Sequence, residues 1–164
     1  MNVRPTPGRV KESLFSILMP RIEGSVVLDL FAGTGAIGFE AASRGASRVV
    51  SVEAHRETAH AIEEAANELD ITDKLTVVAA PAERALYRIE GPFDIVYLDP
   101  PYANEVPLAL FKLLRERNLL AEDAVVIYEH AAKTILPDIP GYRSVREEVY
   151  GDVALAFLAP VGAA

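Results

Sequence analysis

The chain has no cysteine among its 164 residues. Disulfides and thiolate metal sites are therefore excluded, and the composition suits a reducing compartment. Long apolar runs are also missing. The longest are strand-sized, far short of the ~20 residues a membrane-spanning helix needs. Residues 1–20 hold no signal-peptide core, because Arg4, Pro5, Pro7 and Gly8 interrupt it. These absences lead to the expectation of a cytoplasmic protein without membrane contact. Histidine is scarce, and His55, His60 and His130 show no metal-ligand spacing, so no metal site is expected. There is no Gly-x-Ser-x-Gly elbow and no Walker lysine. Internal repeats and low-complexity tracts are absent as well. What remains fits one domain that buries roughly two-thirds of its unfolded surface.

An excess of positive charge is lacking too: the net charge is −8. That opposes a nucleic-acid partner, which usually selects a basic protein. The distribution softens the objection. Arg4, Arg9, Lys11 and Arg21 face a single acid, Glu12, within residues 1–21. The acids gather in residues 53–70 and 116–129. This pattern fits a basic end on an acidic body, and equally fits ordinary solvated helix faces.

Present instead is an alternation of strand and helix signals. Residues 2–8 read as an extended arm, and residues 9–19 as a helix stopped by Pro20. Strands are expected at 26–30, 48–53, 74–78, 93–98 and 124–129. Helices are expected at 36–44, 56–69, from Ala82, and at 105–117. Glu129-His130 ends the fifth strand near the expected pocket, with strand capping the favoured reading and pocket lining the alternative. Tyr142 to Tyr150 and Val153 to Leu158 read as a hairpin turned at Gly151-Asp152. The expectation is an α/β, Rossmann-like fold: a seven-stranded, mostly parallel sheet, a C-terminal antiparallel hairpin, and helices on both faces. Residues 1–22 form an arm and helix, and residues 23–164 the main domain.

Two loops carry chemistry. The first strand runs into Asp29-Leu30-Phe31-Ala32-Gly33-Thr34-Gly35, whose glycines let backbone approach a ligand. Gly33 to Gly38 also fits the dinucleotide pattern G-x-G-x-x-G. Glu53, closing the second strand, suits two ribose hydroxyls, or else caps the next helix. Loop and acid together suggest an adenosine-bearing ligand. Asp29 favours S-adenosyl-L-methionine over a dinucleotide, because a carboxylate there attracts an ammonium and repels a pyrophosphate. The fourth strand then delivers Asp99-Pro100-Pro101-Tyr102 to the ligand-binding edge. The prolines stiffen the turn. The Asp99 carboxylate and Pro100 carbonyl can accept the two hydrogens of an exocyclic base amine, localising its lone pair and aiming it at a methyl donor. Tyr102 can stack on the base, which is swung out of any duplex to arrive. These residues point to methylation of a base amine.

Several stretches resemble the RsmD-type bacterial 16S rRNA guanine-N2 methyltransferases. They are Arg4-Pro5-Thr6-Pro7-Gly8-Arg9-Val10-Lys11-Glu12-Ser13-Leu14-Phe15, Leu28 to Gly35 with Gly38 and Glu40-Ala41, Asp99 to Tyr102, and Tyr150-Gly151-Asp152. The resemblance spans nearly the whole chain. It implies a class I methyltransferase domain that uses S-adenosyl-L-methionine on the N2 amine of a guanine in 16S rRNA. The partner would be an assembled or assembling 30S subunit. The implied cofactor residues are Asp29, Phe31, Ala32, Gly33, Thr34, Gly35, Glu53, Ala54, Ala82 and Asp99. Asp99, Pro100, Pro101 and Tyr102 would be catalytic. Arg4, Arg9 and Tyr102 would meet RNA. There are two departures. The chain begins at Met1-Asn2-Val3, where the family usually carries a basic β-segment, so the resemblance is to an N-terminally shortened member. The adenine-facing acid or amide after the third strand is replaced by Ala79-Ala80-Pro81-Ala82. Other readings are a DNA adenine-N6 methyltransferase, which would need a target-recognition region, a nicotinamide-dependent oxidoreductase, which would leave Asp99 to Tyr102 idle, and a non-catalytic subunit binder.

Overall fold

The computed structural model describes residues 8–101 and 105–162. Helix α1 (Gly8–Ile22) is followed by β1 (Val26–Asp29), α2 (Ala36–Ser43), β2 (Arg48–Glu53), α3 (Arg56–Glu68) and β3 (Leu75–Ala79). Then come α4 (Ala82–Ala85), β4 (Phe93–Leu98), α5 (Leu108–Glu116), β5 (Leu120–Ala131), β6 (Tyr142–Tyr150) and β7 (Val153–Pro160). One seven-stranded sheet has the order β3-β2-β1-β4-β5-β7-β6. The first five strands pair in parallel, and β7 is antiparallel to both β5 and β6. The expected α/β architecture with its terminal hairpin is what forms. Among the described residues no helix is long and apolar enough to cross a membrane.

Continuous apolar strands demand cover on both faces, because side chains alternate with period two. Val27, Val49, Ile95, Tyr97 and Ile127 pack with Val10, Leu14, Phe15, Leu18 and Ile22 of α1 and with α2 and α3 residues. Leu28, Val50, Val96, Leu98 and Tyr128 pack on the opposite face with Ala82, Ala85, Leu110, Phe111 and Leu114. Phe15 is 1% exposed, a burial worth about 1.5–3 kcal/mol. A bond between the Ser13 and Tyr150 hydroxyls ties α1 to the hairpin.

The structure corrects three boundaries, one of them the start of α5, which lies at Leu108 rather than at 105. Pro20 does not stop α1, which continues to Ile22. Pro20 forfeits one i→i−4 hydrogen bond in the last turn, and burial of Ile22 to 1% exposure offsets that loss. Strand β5 begins four residues before the expected Ala124, at Leu120. A register shift between Phe93 and Ile95 lets it pair Leu120 with Phe93 before the regular ladder resumes at Val125. Arg4 and the rest of the arm, and Tyr102, lie outside the described residues.

Candidate active site at the β1–β4 switch

The chain winds outward from β1 in one direction through β2 and β3, and in the other through β4 and β5. Ligands of open α/β sheets bind where the winding reverses, at the carboxyl ends of the strands. Here that place lies between β1 and β4, so the turn after Asp29 and the turn after Leu98 meet there. Backbone bonds fasten the first turn to its neighbours: Leu30 donates to the Tyr97 carbonyl at 3.0 Å and Ala32 to the Val52 carbonyl at 2.9 Å.

Gly35 sits at φ +83°, and a Cβ on it would stand 2.9 Å from the Phe39 ring and 3.2 Å from Ile62. Both the conformation and the space require glycine. Gly38, on the first turn of α2, lets that helix lie on the sheet: a Cβ would meet Ser51 Oγ at 2.7 Å and Val49 Cγ1 at 3.1 Å.

Glu53 is buried at the end of β2 and uses both oxygens on backbone donors. Gly33 N–H donates to Oε1 at 2.9 Å and His55 N–H to Oε2 at 2.8 Å. The cap of α3 is not Glu53 but His55, whose Nδ1 accepts from the Thr58 amide. Glu53 therefore joins the glycine turn to the start of α3. A carboxylate offers about four acceptor sites, so it can still receive a ligand hydroxyl.

Asp29 is 1% exposed, and neither carboxylate oxygen has a hydrogen bond of ordinary geometry among the described residues. Burial pushes its pKa up to about 8, and the charges of Asp99, Glu53 and Glu129 push the same way, while the Phe31 amide opposes them. Such a carboxyl group keeps its proton until a cation meets it. An ammonium placed against it restores its charge, whereas a pyrophosphate would meet acids on several sides. The site suits an amino-acid-bearing cofactor and disfavours a dinucleotide.

The remaining sequence-selected residues fall as follows. Phe31, Ala32, Gly33 and Thr34 form the turn itself. Ala54 is exposed directly after Glu53, and Ala82 is buried at the start of α4, beyond β3. The Ala80 amide donates to the Glu53 carbonyl at 3.1 Å, which brings the Ala79–Ala82 stretch alongside Glu53. Asp99 and Pro100 are half-buried, and Pro101 is exposed. Asp99 lies within electrostatic reach of Asp29 on one side and Tyr128 on the other; burial and this charge hold the Tyr128 hydroxyl above its usual range. Arg9 is exposed on the first turn of α1.

Sequence reasoning misjudged one residue here. Glu129 is no strand cap: it lies inside β5 opposite Leu155 of β7, 4% exposed, and accepts the Tyr97 hydroxyl on Oε1. The available signal was an acid directly after the apolar run Val125 to Tyr128. Among the described residues, no group of three or more His, Cys, Asp or Glu could hold a metal ion.

The model of the family described as Conserved hypothetical protein 95 matches residues 1–159. The putative rRNA methyltransferase YlbH of Bacillus subtilis is 35% identical over 94% of this chain and 86% of its own length. Ribosomal RNA small subunit methyltransferase D of Escherichia coli is 35% identical over 93% of this chain and 77% of its own. A solved structure of the putative methyltransferase yhhF from Escherichia coli superposes with TM-score 0.87 at 32% identity, covering 97% of this chain and 88% of that one.

Proposed function

The chain belongs to the RsmD family of methyltransferases, and on that premise we propose that it moves a methyl group from S-adenosyl-L-methionine to the N2 amine of a guanine in 16S rRNA. Its substrate is the assembled or assembling 30S subunit, in the cytoplasm. The observation that carries the reading is Asp29, a buried carboxyl group whose oxygens have no hydrogen bond of ordinary geometry among the described residues, set between the glycine turn and Asp99.

S-adenosyl-L-methionine supplies a methyl group on a sulfonium, with an adenosine and an amino-acid end as handles. Asp29 takes the ammonium of the amino-acid end. Glu53, already fixed by Gly33 and His55, accepts from the ribose hydroxyls. Phe31 to Gly35 approach the cofactor with backbone, and Ala54 and Ala82 border the adenine. Asp99 and the Pro100 carbonyl accept the two N2 hydrogens, holding the amine and turning its lone pair toward the methyl carbon. The proton that N2 sheds on methylation would pass to Asp99. Pro101 stiffens the turn, and Tyr102 stacks on the base. Arg4 and Arg9 contact RNA phosphate at the pocket mouth.

The deciding experiment offers labelled S-adenosyl-L-methionine and the protein to 30S particles, free 16S rRNA and DNA in parallel. Label in N2 of guanine from the particles is the expected result. Label in adenine of DNA overturns the reading, as does binding of NADH without binding of S-adenosyl-L-methionine.

A further inference from the structure

The proposed chemistry leaves one buried acid of the site without a task. Glu129 is 4% exposed on the α1 face of the sheet, and the Tyr97 hydroxyl donates to its Oε1. The last register pair between β4 and β5 is Leu98 opposite Tyr128. Asp99 directly follows Leu98 and Glu129 directly follows Tyr128, so the two acids flank this last pair. Both raise the cost of charging Asp29, so all three carboxyl groups lie within electrostatic reach. Keeping a carboxylate in such surroundings is expensive unless donors meet it. Tyr97 is one such donor, and it fixes the orientation of the group.

Guanine presents a second donor in the right relation. Its N1–H stands beside the N2 amine, so a base held at N2 by Asp99 turns N1–H toward the neighbouring strand end. Adenine and 2,6-diaminopurine carry a bare acceptor at N1 and would turn a lone pair onto the same carboxylate. Building on the guanine-N2 reading, we propose that Glu129, oriented by Tyr97, is a specificity-determining residue that accepts the N1–H of the target guanine while Asp99 and Pro100 hold its amine. Drawing on N1–H also feeds electron density through C2 into N2, which sharpens the nucleophile. A site built around a donor rejects the analogue that lacks it, because a buried acceptor is then left facing an acceptor.

The test begins by mapping the nucleotide that the wild-type protein methylates. Small subunits are then reconstituted from rRNA carrying guanine or 2,6-diaminopurine at that position, and kcat/KM is measured for each. Wild type is expected to prefer guanine by about 10- to 100-fold. Glu129→Gln can donate an amide N–H to a bare N1, so its preference should fall to near unity or reverse, with cofactor Kd and melting temperature close to wild type. Tyr97→Phe, which removes only the orienting hydroxyl, should narrow the preference by a smaller factor and serves if the Gln variant does not fold. An equal loss on both substrates with the preference intact would assign Glu129 a purely structural role and overturn the proposal. Wild-type label appearing anywhere but guanine N2 is a separate outcome: it removes the underlying reading, and this inference falls with it.

Discussion

The Gly33 amide donates to Glu53 Oε1 at 2.9 Å across 20 positions of chain, locking the turn after β1 to the end of β2. The other carboxylate oxygen is engaged as well, by the His55 amide at 2.8 Å. One side chain thus holds two backbone segments that a cofactor must touch together.

Glu53→Gln breaks this arrangement, because an amide offers one acceptor oxygen and sets its N–H₂ against the other backbone donor. Hydrogen bonds to a charged group are worth ~1.5–3 kcal/mol. Melting temperature should fall, and affinity for S-adenosyl-L-methionine should drop about tenfold or more by titration calorimetry. A Gln variant matching wild type in both would refute the role given to Glu53.

Asp29 makes stability depend on pH in a direction opposite to that of a salt-bridged acid. Its folded pKa is raised from 3.8 to about 8. Between these values the folded chain holds a proton that the unfolded chain has released, so this group's contribution to stability falls as pH rises through that window. Asp29→Asn should flatten the decline, and its advantage over wild type should grow from pH 4 to pH 8 in chemical denaturation.

The same raised pKa predicts proton release. A cofactor ammonium restores the charge on Asp29, so binding near pH 6 should release close to one proton in the wild type and almost none in Asp29→Asn. Calorimetry in buffers of different ionisation enthalpy reads the difference. The variant should also bind more weakly at pH 8. Equal proton release by both proteins would separate Asp29 from the ammonium.

Asp99→Ala removes an acceptor from the amine but leaves the Gly33–Glu53 lock in place. Methyl transfer should fall by about 10²–10⁴-fold, the usual scale for a positioned proton acceptor, while cofactor affinity stays largely intact. Full activity in this variant would refute the mechanism.

Gly38→Ala tests packing rather than chemistry. The added Cβ would lie 2.7 Å from Ser51 Oγ and 3.1 Å from Val49 Cγ1. Overpacking of this kind costs about 1–3 kcal/mol, visible as a lower melting temperature. Ser51→Ala in the same chain should recover part of the loss.

Much of this molecule is legible in its sequence. The apolar stretch at 48–53, the glycine turn after Asp29 and the paired prolines after Asp99 each declare a local conformation, and each occurs where it was expected. Pro20 misled, because a local stop signal yielded to the burial of Ile22. Glu129 misled for a related reason. An acid closing an apolar run looks the same whether it caps a strand or lies within one, and the partner that distinguishes the cases, Tyr97, is 32 residues away.

The sequence by itself determined which segments become strands and helices and which turns can take a ligand, because periodicity, glycine and proline act within a few residues. Only the tertiary structure decided that β4 lies beside β1 and that β7 lies between β5 and β6. Strand order depends on which apolar faces cover one another and on hydrogen bonds between distant segments, and no local pattern encodes it. That order brings Asp29, Glu53, Asp99 and Glu129 to one edge, where burial and mutual repulsion raise the Asp29 pKa.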